Sequence, residues 1–187
     1  MKSVARRIDP ESPPFADPVS AALSSVMPPG VPPLTLFTTV ARNQRVFLRM
    51  MAGGLLDRGS ISLREREIVI NRTCFRCGSE YEWGVHVAFF GPRAGFSAAE
   101  IEALCEADPE AAALPPRERL LLRLCDELHD RSTVGDALWS ELSAEWSAEQ
   151  LVELVALVGY YHLISFATNA FKLDPEPFAA RFPSSTP

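Results

Sequence analysis

The sequence predicts an all-α fold, a bundle of about seven or eight helices, and three observations support this prediction. Apolar residues recur at helical spacing along most of the chain between residues 34 and 173. Four of these segments follow a capping box, in which a serine and a Glu or Gln three residues later satisfy free backbone N–H groups. No segment is a convincing strand, and the linkers are short, which is typical of antiparallel helical neighbours.

The predicted elements fall into three parts. Residues 1–33 hold eight of the sixteen prolines and are expected to form an extended arm with one short helix at about 18–27. Residues 34–173 form the helical domain, and the Pro-rich residues 174–187 form a tail. Within the domain we expect helices over residues 34–56, 62–72, 79–90, 97 onward, 116–129, 133–145 and 147–172, the third of them ending at Gly91-Pro92.

Composition limits the partners of the chain. Its net charge of −6 and pI of about 5.1 argue against nucleic acid, whose phosphates select Lys- and Arg-rich surfaces. No secretory signal is visible, which favours the cytoplasm. The apolar stretch 151–171 is interrupted by Glu153, His162 and Asn169, so we expect a buried helix at a subunit interface and no membrane span.

The helix predicted to begin at Ser79 carries a candidate acid–base pair. Glu82 and His86 are four residues apart and therefore lie on one side of that helix. A carboxylate one turn before an imidazole can hydrogen-bond a ring nitrogen and raise the pKa of the histidine. Glu67 lies on the preceding helix and would face the same pocket if the chain breaks between Cys74 and Gly78. A simpler interpretation of the spacing alone is a solvated Glu–His pair without a catalytic role, which is very common on helix faces.

A second candidate is the C-x-x-C pair Cys74 and Cys77, which precedes a helix start. The helix dipole and nearby arginines would favour a thiolate there, although both cysteines could simply be small buried residues. We expect no metal, because Cys105 and Cys125 form no second C-x-x-C. His129 and His162 likewise stand alone on apolar helices, so we interpret both as core or surface residues.

Several blocks of the sequence carry a family resemblance. They are Leu63-Arg-Glu-Arg-Glu-Ile-Val-Ile70, Arg76-Cys-Gly-Ser-Glu-Tyr-Glu-Trp83 with His86, Arg117-Glu-Arg-Leu120, Asp126-Glu-Leu-His129, Val158-Gly-Tyr-Tyr-His162 and Asn169-Ala-Phe171. Together they resemble the carboxymuconolactone decarboxylase family, which includes the AhpD-like alkylhydroperoxidases, over roughly residues 34–172. The resemblance implies an all-α protein that assembles into homotrimers or homohexamers, with a pocket for a small-molecule substrate near subunit contacts.

The register of the resemblance assigns the site residues. Peroxidase members carry a Glu, a Cys twelve residues later, a second Cys after three more and a His after four more. Counted from Glu67, these positions are Ser79, Glu82 and His86. The relay positions are therefore retained, whereas the two thiol positions are not, and Cys74 and Cys77 lie five residues early. Ser79 cannot attack a peroxide as a thiolate does, and Glu82 cannot resolve a disulfide.

Three functions remain open at this point. The leading one is decarboxylation or related proton transfer on a small carbonyl or lactone acid, with His86 as proton carrier, Glu82 tuning it and Glu67 as relay. Ser79, Tyr81 and Arg72 are expected to contact the substrate, and Arg72 is expected to bind the carboxylate of the substrate. No cofactor is expected. The second is thiol peroxidase or disulfide chemistry at Cys74 and Cys77. The third is a non-catalytic oligomeric ligand-binding protein on the same scaffold.

Overall fold

A computed structural model describes residues 6–183, and within that range the chain forms nine helices and no strand. The prediction of an all-α fold is therefore confirmed. The ends of the predicted arm and tail, residues 1–5 and 184–187, lie outside the described residues. The helices are α1 (Asp17–Val26), α2 (Thr35–Val40), α3 (Gln44–Ala52), α4 (Leu63–Arg76), α5 (Glu80–Ala94), α6 (Ala98–Ala103), α7 (Pro116–Arg131), α8 (Asp136–Glu145) and α9 (Ala148–Phe171).

Helix α4 lies at the centre of the molecule. Ten consecutive residues, from Glu65 to Cys74, are buried, and the helix packs against α5, α7 and α9. A helix that is buried on every side must bury its polar residues as well, and each of those needs a partner. The centre of the fold is therefore also the place where charged side chains are forced into contact.

The turn between α4 and α5 sets the direction of α5. Gly78 adopts the left-handed conformation with φ of +63°, which glycine accepts without a steric cost. Ser79 N donates to Cys74 O and Gly78 N to Phe75 O, both at 2.9 Å, which is the Schellman arrangement that ends a helix. The predicted chain break between Cys74 and Gly78 is thus confirmed.

The following helix begins at Ser79 as predicted, but its predicted capping box does not form and its predicted end near Phe90 was wrong. Ser79 makes no capping hydrogen bond, because its Oγ pairs with Thr168 Oγ1 at 2.8 Å instead. Pro92 does not stop the helix, which continues to Gly95 with φ of +74°. The carbonyl that loses its hydrogen bond to Pro92 belongs to Ala88, which is exposed, so water can replace the missing donor.

The remaining capping signals behave as the sequence indicates. Capping boxes form at Ser62, Ser97 and Ser147, where the serine Oγ and the Glu or Gln side chain both bond the backbone. The long helix predicted over residues 34–56 is divided into α2 and α3, because Asn43 caps a new start by accepting from Val46 N.

The arm and the tail both lie against the helical domain. In the arm, α1 packs on α3 through buried Val19 and Leu23. In the tail, Ala180 N donates to Gly84 O at 3.1 Å, and Phe182 packs against Trp83. Both segments therefore form part of the walls around α5 and α3.

Helix α9 is long and apolar enough to cross a membrane by length and composition alone. One face of it, however, is buried in the core, including Leu154, Val158 and Tyr161. The core helix of a soluble protein has these same properties.

Candidate active site

His86 is the centre of a buried hydrogen-bond network that joins three helices. Its Nδ1 lies 2.8 Å from Glu67 Oε2 on α4, and its Nε2 lies 3.0 Å from the Tyr161 hydroxyl on α9. Glu82 Oε1, one turn earlier on α5, lies 3.4 Å from the same Nε2. His86 is 2% exposed and Glu67 is 0% exposed. The sequence-based expectation that Glu67 faces the Glu82–His86 pair therefore agrees with the structure.

Glu67 fixes the His86 imidazole through its hydrogen bond to Nδ1. Its second oxygen, Oε1, accepts from Arg66 Nε at 3.0 Å and Arg66 Nη2 at 2.9 Å. Both carboxylate oxygens are thus occupied, one by the guanidinium and one by His86. A carboxylate fixed in this way sets the orientation and the tautomer of the histidine that it contacts.

The charges around His86 decide its protonation. Burial opposes the charged imidazolium and lowers the pKa, but the charge of Glu67 and hydrogen bonds to Glu67 and Glu82 outweigh it. The pKa of His86 is raised to about 9. At neutral pH the ring is therefore protonated, with Nδ1–H donating to Glu67 and Nε2–H directed toward Glu82 and Tyr161.

Glu82 differs from Glu67 in one respect that matters for chemistry. Its Oε2 is buried and, among the residues that the structure describes, has no hydrogen-bond partner. Its Oε1 is at ion-pair distance from His86 rather than in a short hydrogen bond. Buried carboxylate oxygens are normally paired, so a free one beside a cavity indicates a position for a ligand or a transferred proton.

A cavity of about 630 Å³ opens directly onto this network. Glu82, His86 and Tyr161 supply polar groups to its lining, and most of the remaining lining is apolar. The apolar side chains come from several elements, among them Leu36, Met50, Phe89, Phe90 and Ile164. A pocket of this size, with a few converging polar groups, is the usual form of a site for a small organic molecule.

The two cysteines of the C-x-x-C pair lie outside the cavity lining. Cys74 is fully buried, and burial followed by the charge of Glu82 raises the pKa of its thiol well above the usual value. Burial also raises the pKa of the half-buried Cys77, although Arg76 offsets part of this. Both thiols are free and protonated, which opposes the thiolate expected from the helix dipole.

The three predicted substrate contacts do not line the cavity either. Ser79 is fully buried against Thr168, and the Tyr81 hydroxyl bonds Glu176 Oε1 at 2.5 Å. Arg72 is fully buried, and its guanidinium binds both oxygens of Asp126, at 2.8 and 2.6 Å. The expectation that Arg72 faces the substrate is therefore corrected, because this ion pair to α7 occupies its charge.

The sequence did not indicate three residues that complete the site. Tyr161 contacts His86 from a helix 75 residues away in sequence, and Arg66 holds Glu67. Arg93, one turn beyond Phe90, is an exposed cation at the cavity. The one signal that could have identified Tyr161 is the Tyr-Tyr-His run on an otherwise apolar helix.

Comparison with known proteins identifies the fold. No protein-family model and no curated protein matches this chain. Solved structures do match, among them a peroxidase-related protein from Silicibacter sp. TM1040, with a TM-score of 0.80, 16% identity, and coverage of 98% of this chain and 97% of that one. Another is an AhpD core, peroxidase-related protein from Ralstonia eutropha JMP134, with a TM-score of 0.76, 18% identity, and 92% and 95% coverage.

A third similar structure is a variant of the debrominase Bmp8 in complex with 2,3,4-tribromopyrrole. It has a TM-score of 0.72 and 14% identity, and the match covers 94% of this chain and 95% of that one. All three cover nearly the whole chain at low identity. The chain therefore has the AhpD-like helical fold, and its chemistry has to be argued from its own residues.

Proposed function

We propose that this chain is an AhpD-like enzyme that transfers protons at a carbon next to a carbonyl group, with decarboxylation of a small lactone or keto acid as its specific reaction. The observation that carries the proposal is the His86 imidazolium, held between Glu67 and Glu82 at the floor of an apolar cavity. Proton transfer from a positioned histidine is a common source of catalysis, and the residues present supply it without a thiol.

The roles differ from those that the sequence suggested for the two glutamates. Glu67 makes the short hydrogen bond to Nδ1 and therefore orients and tunes the ring. Glu82 carries the unpaired oxygen toward the cavity, so it is placed to take or return a proton of the substrate. Tyr161, at 3.0 Å from Nε2, can donate to an oxyanion that forms on the substrate.

In the decarboxylation, the bond between the carboxylate and the neighbouring carbon breaks and CO₂ leaves. The electron pair stays on the substrate as an enolate, whose oxygen accepts hydrogen bonds from His86 Nε2–H and the Tyr161 hydroxyl. The proton of His86 then moves to the enolate carbon, and solvent restores it to the imidazole. Arg93 is the cation at the cavity that can hold a carboxylate, in place of Arg72.

The proposal is tested by exchange of carbon-bound hydrogen in D₂O. The wild-type protein is incubated with small keto acids and lactone acids, and NMR follows both deuterium incorporation and loss of the carboxylate. We expect His86→Gln to lose at least about 100-fold in rate, the scale of general acid catalysis. Glu82→Gln should lose the hydrogen exchange as well, because it removes the carboxylate that takes the carbon-bound proton.

Cys74→Ala is the matched control for this experiment. It removes the thiol without leaving a buried hydroxyl, and Cys74 does not line the cavity. Activity that survives in Cys74→Ala and disappears in His86→Gln supports the proposal. The opposite pattern contradicts it, and binding without exchange or turnover for any compound favours a ligand-binding protein.

Thiol chemistry is the rival that the same proteins can test. It rests on the C-x-x-C spacing of Cys74 and Cys77 at the turn before α5. Peroxide treatment followed by mass spectrometry should then give a Cys74–Cys77 disulfide. Because both thiols are protonated and outside the cavity, we expect them to stay reduced at peroxide concentrations that oxidise reactive cysteines.

A further inference from the structure

A second cluster of chemically active side chains lies outside the His86 cavity, where the ends of α4 and α7 meet the middle of α9. Cys77 Sγ lies 3.7 Å from His129 Nδ1, and His129 Nδ1 lies 3.0 Å from His162 Nε2. The three atoms all lie within 4.8 Å of one another. Each of the three residues is half-buried, and the sequence alone gave no reason to group them.

We propose that Cys77, His129 and His162 form a zinc site with three protein ligands and a fourth position open to water. This inference is independent of the acid–base function, because none of the three residues lines the cavity. One thiolate and two imidazoles form a ligand set that Zn²⁺ commonly takes in proteins, and harder cations such as Mg²⁺ disfavour it.

Two of the three distances between the ligand atoms are close to those in a tetrahedral zinc site. Zinc lies about 2.0–2.1 Å from nitrogen and about 2.3 Å from sulfur, which separates two nitrogens by roughly 3.3 Å and a nitrogen from a sulfur by roughly 3.6 Å. The observed 3.0 Å and 3.7 Å differ from these values by a few tenths of an ångström. The third distance, between Cys77 Sγ and His162 Nε2, is at most 4.8 Å. Bringing these two atoms to the zinc value requires a movement of roughly one ångström, which a half-buried cysteine can make by side-chain rotation.

The histidine orientations support ligation. His162 Nδ1 lies 2.8 Å from Val158 O, and a carbonyl can only accept, so Nδ1 carries the proton. Its Nε2 therefore presents a lone pair to the cluster, where it accepts from His129 Nδ1–H at 3.0 Å. A metal ion takes the place of that proton, since metal binding releases protons from its ligands. A backbone carbonyl on the far nitrogen is the usual partner of a metal-binding histidine.

The backbone and the surrounding charges also suit a cation. Asn169 Nδ2 donates to Cys77 O at 2.8 Å and holds the cysteine in place. Arg76 is a nearby positive charge that opposes a cation, and it is paired with Asp130 at 2.7 Å and Asp126 at 3.6 Å. A zinc ion here would join α4, α7 and α9 at one end of the bundle.

The test uses the full chain, purified without a histidine tag and stripped with a chelator. Calorimetry with zinc chloride should give one Zn²⁺ per chain, and Cys77→Ser and His162→Gln should each weaken the affinity by more than about tenfold. Substitution with Co²⁺ should give a sulfur-to-metal charge-transfer band in the wild type that is missing in Cys77→Ser. Magnesium chloride should not compete.

Cys105→Ser is the matched control, since it removes another half-buried thiol outside the cluster. It should bind zinc as the wild type does. Absence of zinc binding by the folded wild type would overturn the proposal, as would equal affinity in the wild type, Cys77→Ser and His162→Gln. Circular dichroism without metal checks that each variant folds. If Cys77→Ser does not fold, His162→Gln and His129→Gln decide the result.

Discussion

His86 is a buried cation whose charge is stabilised by its neighbours rather than by water. Glu67 and Arg66 are fixed by α4, and Glu82 is one turn away on α5. The spacing of Glu82 and His86, together with the register from Glu67, was enough to predict that these three meet. Tyr161 was not assigned to the site, because its contact depends on how α9 crosses α5, and the Tyr-Tyr-His run alone does not encode that crossing.

The pH dependence of stability follows from the raised pKa of His86. Its folded value is about 9, against an ordinary value of 6.5, so protonation favours the folded state. This contribution, on the order of 3 kcal/mol, is fully present below pH 6.5 and is lost as pH rises through about 9. Urea unfolding of the wild type should therefore show a free energy that falls between pH 6.5 and pH 9.

His86→Gln provides the comparison for this measurement. It keeps a side chain that can hydrogen-bond Glu67 but cannot titrate. The free energy of unfolding of this variant should change much less over the same pH range. Equal slopes for the two proteins would show that His86 is not the group whose protonation stabilises the fold.

At the scale of elements, α5 is held from outside by the tail. A Cβ placed on Gly84 would collide with Ala180 O, a backbone atom that cannot move without displacing the segment. In the same segment, Glu176 accepts a hydrogen bond from the Tyr81 hydroxyl, and Phe182 packs against Trp83. The glycine is therefore required by the close approach of two backbones and not by its own helical conformation.

Gly84→Ala should destabilise the protein by about 1–3 kcal/mol, the usual cost of forcing extra atoms into a packed contact. Thermal unfolding checks this, with Gly135→Ala as the control. Gly135 is exposed at the start of α8, and a Cβ added there would meet only the Glu127 carboxylate, at ordinary contact distances of 3.5 and 4.0 Å. That variant should change the free energy of unfolding by no more than about 0.5 kcal/mol. If Gly84→Ala leaves the stability unchanged, the tail does not pack closely against α5.

The ends of the helices show what the sequence could predict at this scale. Three capping boxes form because Ser62, Ser97 and Ser147 have no stronger partner than the backbone. Ser79 does not form a capping box, because its hydroxyl is hydrogen-bonded to Thr168, which lies 89 residues away in sequence. A capping signal is reliable where the helix start is exposed and unreliable where it is buried against another helix.

At the scale of the whole molecule, exposed apolar residues on α9 form a face that we expect a second copy of the chain to cover. Val152 is 72% exposed, Leu163 53% and Phe166 63%, on the same helix whose other face is in the core. An amphipathic residue pattern would place polar groups at these positions. The sequence predicted a homo-oligomer, trimer or hexamer, and this face is where we expect the copies to meet.

Light scattering should therefore give a mass near three or six times the 20.6 kDa of one chain. The double variant Val152→Glu and Phe166→Glu should shift it toward the monomer, because two charges would be buried in the interface. Val46→Glu, at an exposed apolar position on α3, is the control and should leave the mass unchanged. A monomeric wild type would contradict the prediction.

The docking of the tail on α5 has a consequence for how the chain is made. Glu176 contacts Tyr81 across 95 residues of sequence, so a ribosome finishes α5 long before it adds the segment that covers it. During that interval Phe75 and Trp83 lack their contacts with Phe182, which has not yet been synthesised. The packing around α5 is therefore complete only when residues 176–182 have emerged.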